Sequence, residues 1–179
     1  EILGTQDDPV RLSSIGAAGW KGVFLDRSSA NNKISYCNIS GAEFGFRASK
    51  SEVSIQNCQF QDNVWGIVME ESSGEISGSL IRTSEKSGIA ARKAKLLVKN
   101  SVISENSQGG FLLEGCKAKI VQNNILNNGG WEIKVLDKKG RVKASKNWWG
   151  DPDPEKKEII GPVAFQPALK SPIAFSVIE

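Results

Sequence analysis

Histidine is absent from this chain of 179 residues. That removes serine–histidine and cysteine–histidine nucleophile pairs, and it removes imidazole ligands for zinc or copper. No stretch approaches the roughly 18 consecutive apolar residues that a membrane-spanning helix requires, so no membrane insertion is expected. Charge of one sign is also lacking. Lysine plus arginine total 23 against 20 acidic residues, and the resulting +3 is scattered along the chain, which argues against nucleic acid as a partner. Cysteine is scarce, at Cys37, Cys58 and Cys116, too few to fix a redox compartment. Proline is nearly absent before residue 151; five of the six prolines follow it. The chain opens at Glu1-Ile2-Leu3-Gly4 in mid-pattern and without Met, as a mature form or an excised piece would, so no secretory signal is expected within it and further rungs or a domain are expected before residue 1.

What is present is a ladder. Gly22, Gly45, Gly66, Gly88 and Gly110 open short apolar segments at spacings of 23, 21, 22 and 22 residues, and Trp131-Glu132-Ile133 falls where the next should start. One residue beyond come Val23, Phe46, Ile67, Ile89, Phe111 and Ile133; three beyond come Leu25, Ala48, Met69, Ala91, Leu113 and Val135. The position between carries no constraint: Phe24, Arg47, Val68, Ala90, Leu112 and Lys134. Self-similarity at a fixed period in the twenties marks a solenoid. In such a molecule each unit contacts only its neighbours, and length counts units.

Six units begin near Trp20, Phe44, Trp65, Ser87, Gly109 and Trp131, after a partial first rung over 1–19 that contains a strand at Pro9–Ser14 and a loop at Gly16-Ala17-Ala18-Gly19. A polar turn such as Arg27–Asn32 separates the first strand from a second: Ile34–Tyr36, Val53–Ile55, Glu75–Ser77, Leu96–Val98, Lys119–Val121 and Arg141–Lys143. A third apolar element follows at Ile39, Phe60, Ile81, Ile103 and Leu126. Pieces this short cannot be amphipathic helices. Three strands per 22-residue unit, each pairing in parallel with its copy one turn on, predict an all-β parallel β-helix, a single-stranded solenoid of about six rungs. The ladder glycines are expected to start strands at coil corners. Asn57, Asn100 and Asn123 are read as one structural column with Gly78 and Tyr36, and Asn63 with Asn106 as another, since asparagine suits tight turns and can bond its own copies when stacked. Cys37 and Cys58, one period apart, stack on adjacent rungs about 4.8 Å apart; two buried thiols is the favoured reading, and a disulfide stays open. Residues 1–150 form the solenoid. Proline-rich 151–179, with apolar pieces at 159–160, 163–165 and 173–178, forms a C-terminal cap over the last rung's edge. Trp148 and Trp149 are expected to close the core beneath it.

Two stretches carry a family likeness. Gly19-Trp20-Lys21-Gly22-Val23-Phe24-Leu25 with Ile34–Ala42, and Asn147-Trp148-Trp149-Gly150 followed by Gly161–Leu169, resemble bacterial right-handed parallel β-helix repeat proteins of the pectate-lyase-like fold, on a non-catalytic branch. The resemblance implies a right-handed coil whose last repeat ends at the tryptophan–glycine element. It implies no single activity, because degrading enzymes, adhesins and metal-maturation accessory proteins share the fold. Copper handling of the last kind is disfavoured by the missing histidine and the single methionine, Met69.

Four residues beyond each ladder glycine stand Asp26, Ser49, Glu70, Arg92 and Glu114. Glu70 and Glu114, two rungs apart at about 9.6 Å, lie near the separation that inverting glycosidases use. Arg92 between them would lower both carboxylate pKa values, whereas a general acid needs one raised. Glu70, Arg92 and Glu114 are therefore the candidates for a lyase or hydrolase reading, set against a plain alternating-charge ladder. Asp151, Asp153 and Glu155 offer hard oxygen ligands but no calcium-loop pattern, and neither a metal site nor a cofactor is expected. Phe44, Trp65 and Trp131, each just before the ladder position, are the candidate ligand-binding residues: flat rings with polar rims suit sugars. The sequence points to a non-enzymatic, extracytoplasmic module with a structural or binding role, with carbohydrate or another extended polymer as its partner.

Overall fold

The computed structural model describes residues 1–15, 19–29, 32–138, 141–153 and 159–176. The expected loop at 16–18, Ala30 and Asn31 of the first polar turn, Glu155, and the end of the 173–178 piece lie outside them. Every regular element among the described residues is a β-strand, and all pairings are parallel.

Three sheets run along the coil. The first holds Trp20–Asp26, Ala42–Ser49, Trp65–Glu70, Ser87–Arg92, Gly109–Glu114, Ile133–Val135 and Ile159–Ile160. The second begins with Ile2–Leu3 and continues through Asn32–Ser35, Glu52–Gln56, Ser73–Ser77, Lys95–Lys99, Lys117–Val121, Arg141–Lys143 and Val163–Ala164. The third holds Val10–Leu12, Cys37–Ser40, Gln59–Gln61, Leu80–Arg82, Val102–Ser104 and Asn124–Leu126. Successive rungs visit the sheets in that order, so the coil is triangular in section. The two inward columns of the first sheet follow the expected register, Phe46↔Ile67↔Ile89↔Phe111↔Ile133 and Ala48↔Met69↔Ala91↔Leu113↔Val135. With Ile55, Ile76, Val98 and Ile120 from the second sheet and Ile39, Phe60, Ile81 and Ile103 from the third, they form one continuous buried core. Each such side chain contributes about 1.5–3 kcal/mol when fully buried.

Corners are made differently from the expectation. Gly45, Gly66, Gly88 and Gly110 sit inside first-sheet strands, and their role is close approach: a Cβ at Gly45 would stand 2.6 Å from the Gly66 carbonyl oxygen and 3.0 Å from Phe60 Cδ1. The turns instead fall on left-handed residues, one at each of the following corners. Between the first and second sheets these are Arg27, Lys50, Glu71, Lys93 and Gly115; between the second and third, Tyr36, Asn57, Gly78, Asn100, Gln122 and Lys146; between the third and first, Gly41, Asp62, Thr83, Glu105 and Asn127. Tyr36 therefore turns the chain and does not belong to the second strand.

At many of these corners the residue after the left-handed seat points inward and its side chain bonds the backbone of the neighbouring rung. At the second-to-third corner, Cys58 N donates to Ser79 Oγ at 3.1 Å, Ser79 N to Ser101 Oγ at 3.2 Å, Ser101 N to Asn123 Oδ1 at 3.0 Å and Asn123 N to Asn147 Oδ1 at 3.0 Å. A parallel ladder joins Ala42 N to Asn63 Oδ1, Ser84 N to Asn106 Oδ1 and Asn106 N to Asn128 Oδ1. Asn123 thus belongs one position beyond the Asn57–Asn100 column, where Gln122 is the matching member. Likewise Ile125, not Leu126, is the inward residue that pairs with Ile103. All three cysteines are free and buried. Cys37 and Cys58 occupy the ladder seats that serine and asparagine hold further on, and Cys116 occupies the seat of Ser51 and Ser72 at another corner.

At the C-terminal end, 159–160 and 163–164 first extend the first and second sheets. The chain then crosses the end of the coil: Leu169 N donates to Asn147 O at 2.9 Å, and Ile173 N and O bond the Asn124 side chain at 2.9 and 3.0 Å. Trp149 is fully buried in the core, while half-buried Trp148 continues the third sheet by a bridge to Asn124.

Candidate functional site

The outer face of the first sheet brings the two predicted sets together. Its strands are short and parallel, so every outward position repeats one rung on, about 4.8 Å away. Asp26, Ser49, Glu70, Arg92 and Glu114 form one column in direct register. Leu136 extends it, since its N–H bonds Leu113 O at 2.9 Å. The middle column is Phe24, Arg47, Val68, Ala90, Leu112 and Lys134. The third contains Phe44, Trp65, Ser87, Gly109 and Trp131; Gly22 faces Phe44 there, at a bulge. Phe44, Trp65, Glu70, Arg92, Glu114 and the apolar middle residues line one groove of about 370 Å³.

Charge in this groove is organised around Glu70. Arg47 Nη2 lies 2.8 Å from one of its oxygens and Arg92 Nη2 lies 3.4 Å from the other. The hydrogen bond from Arg47 is the main cause that holds the Glu70 carboxyl below its ordinary value, with Arg92 adding to it against partial burial. A carboxyl so held stays ionised and accepts hydrogen bonds; it does not deliver a proton near neutrality. Glu114 is exposed on the far side of Arg92.

The rings are half-buried and each carries a cation. Arg47 stands 5.1 Å from the Phe44 centroid, Lys86 4.9 Å from Trp65, and Lys134 4.6 Å from Trp131. Phe24, half exposed, meets Phe44 edge-on at 5.8 Å. The aromatic cluster is therefore Phe24, Phe44 and Trp65 at one end of the sheet. Trp131 stands apart by three rungs, about 14 Å. Its indole leans back over Gly109, whose missing Cβ leaves the space. Arg47 and Phe24 were missed in the sequence because their column looked unconstrained; the one available signal was an arginine interrupting an otherwise apolar middle position.

Among the described residues no group of three or more cysteine, aspartate or glutamate side chains could hold a metal ion. Asp151 Oδ1 instead accepts from Asp153 N at 2.8 Å, a turn within the segment.

The profile of a family described as a right handed beta helix region matches residues 10–148. No curated protein and no solved structure matches the chain.

Proposed function

The chain belongs to the right-handed β-helix family, and we propose that it serves as a non-catalytic binding module for an extended carbohydrate chain, working outside the cytoplasm where such polymers are met. The observation that carries this reading is the joining of ring cluster and charged column in one open groove on the first sheet. Phe44 and Trp65 offer apolar ring surface, Arg47 and Arg92 offer donors, and Glu70 offers an acceptor fixed in its ionised form. Such a wall suits repeated sugar units laid across the rungs. The alternative, a lyase or hydrolase acting through Glu70, Arg92 and Glu114, is disfavoured by the direction of the Glu70 shift, because two guanidinium groups oppose the protonated state that a general acid needs.

A glycan array of the wild-type chain and of Trp65→Ala tests the proposal. Binding of at least one linear glycan by the wild type, weakened about tenfold or more in the variant, is expected; loss of one stacked ring is worth roughly 1.5 kcal/mol. Binding that survives Trp65→Ala unchanged would remove the first-sheet groove as the site.

A further inference from the structure

The opposite wall of the coil carries a second pattern, unrelated to the glycine ladder. On the outer face of the second sheet, Lys95, Lys117 and Arg141 stand in direct register on three successive strands. Two residues along, Lys119 and Lys143 are likewise paired. All five are exposed, and among the described residues none forms an ion pair. Cations directly opposite one another in neighbouring strands destabilise a sheet. Elsewhere this chain avoids the arrangement: Glu70 sits between Arg47 and Arg92, and Lys99 Nζ reaches Glu75 at 2.8 Å. A local rule broken three times on one face, with no ion pair to a carboxylate at any of these five cations among the described residues, is the mark of a surface kept for a ligand.

The same five side chains line a groove of about 740 Å³. It continues over the neighbouring corner into a depression of about 480 Å³ that shares Lys95 and Lys117 and adds Lys50 and Lys93. Charge varies along the coil axis. The column that ends in Lys95, Lys117 and Arg141 begins with Glu52 and Ser73; the one that ends in Lys119 and Lys143 begins with a single cation, Lys33, followed by Ser54, Glu75 and Leu97. The C-terminal rungs thus concentrate positive potential in a linear track with a repeat of about 4.8 Å.

We propose that this track binds a linear anionic polysaccharide, its carboxylate or sulfate groups seated along the lysine and arginine columns. Two features favour a glycan over a nucleic acid. The groove contains no aromatic residue, so it has no platform for base stacking, on which single-strand binding depends. Its floor is made of small polar and aliphatic residues, Ser54, Ser73, Gly74 and Leu97 among them, suited to sugar hydroxyls and ring faces. The site is separate from the first-sheet groove and stands whether or not that groove binds sugar.

The test is a set of titrations of the intact chain with dextran sulfate, a polyuronate fragment, neutral dextran and single-stranded DNA of matched length. Binding of at least one acidic glycan is expected, with none to neutral dextran. From about 50 to about 200 mM salt the affinity should fall by on the order of 100-fold, the counterion-release response of some five cations. The double variant Lys117→Glu/Lys119→Glu should abolish it, and Lys117→Gln/Lys119→Gln should weaken it to an intermediate degree while leaving the circular dichroism spectrum unchanged. Trp65→Ala should leave this binding intact, which separates the two sites. Failure to bind either acidic glycan, equal or tighter binding of DNA, or binding unmoved by the glutamine variant would each overturn the proposal.

Discussion

Asn123 shows how a single residue holds this coil. Fully buried, it accepts a bond from Ser101 N through Oδ1, while its Nδ2 donates to Val98 O at 3.0 Å and Val121 O at 3.1 Å. Alanine there would leave the Ser101 N–H without its acceptor away from water, a cost of about 1–3 kcal/mol, and would remove the side chain's bonds to the Val98 and Val121 carbonyls. Asn123→Ala should destabilise the chain by about 3 kcal/mol or more, read as a lower midpoint in a urea titration with unchanged slope. Cys58 sits three seats before it in the same ladder, where serine already serves in the next two rungs, so Cys58→Ser should change stability by less than about 1 kcal/mol. Burial pushes the Cys37 thiol up to about 11 and that of Cys58 to about 12, from an ordinary 9.0. The folded state disfavours their thiolates. Their contribution is therefore intact below pH 9 and is lost as the pH climbs from 9 toward 11 and 12. The double variant Cys37→Ser/Cys58→Ser should show a shallower alkaline fall in melting temperature. Glu70 acts in the other direction: its lowered pKa gives stability above about 4.5 that is lost as the pH falls. Glu70→Gln should flatten the acid limb, modestly, because the pair is partly exposed.

At the scale of the strand and corner, Gly45→Ala is the sharpest probe. The added methyl would meet the Gly66 carbonyl, Asn63 Nδ2 at 2.9 Å and Phe60 Cδ1 at 3.0 Å, none of which is the free end of a flexible side chain. A loss of about 1–3 kcal/mol is expected by chemical denaturation, the usual effect of overpacking. The same region explains what could be read in the sequence. Inward columns were legible because side chains alternate along a strand, so Phe46, Ile67, Ile89 and Phe111 must share a face once the period is known. Corners were not. Arg27, Lys50, Glu71, Lys93 and Thr83 have no preference for left-handed backbone, and they hold it because their N–H groups bond the next rung, as Lys50 N does to Glu70 O at 2.9 Å. Without that signal, Asn123 and Leu126 were each placed one residue from their true columns. In the candidate site, the Glu70–Arg92–Glu114 register followed from constant spacing. The reach of Arg47 to Glu70 and Phe44 crosses between columns, which spacing along one column does not report. The cation columns of the second sheet escaped notice because net charge averages over all faces.

For the whole molecule, the coil joins rungs of similar construction, so protection should follow position along the axis. Amide exchange should be slowest in the central rungs from about Glu52 to Val121. It should be faster in Ile2–Leu3, in Val10–Leu12 and in the segment around Ile173, whose docking rests on Asn124. Two walls of this coil differ in character: the first sheet presents rings and a clamped carboxylate, the second a basic track whose five cations form no ion pair among the described residues. On the first wall Arg47 and Arg92 hold Glu70 in its ionised form. The most direct measurement is therefore of the bound polymer itself. A linear glycan that the chain binds should be incubated with it, and the glycan's length distribution and its unsaturated or reducing ends followed over hours. The expected result is stable binding with the polymer length unchanged. Shortened chains or new ends, abolished by Glu70→Gln or Glu114→Gln, would contradict a binding role and establish an enzyme.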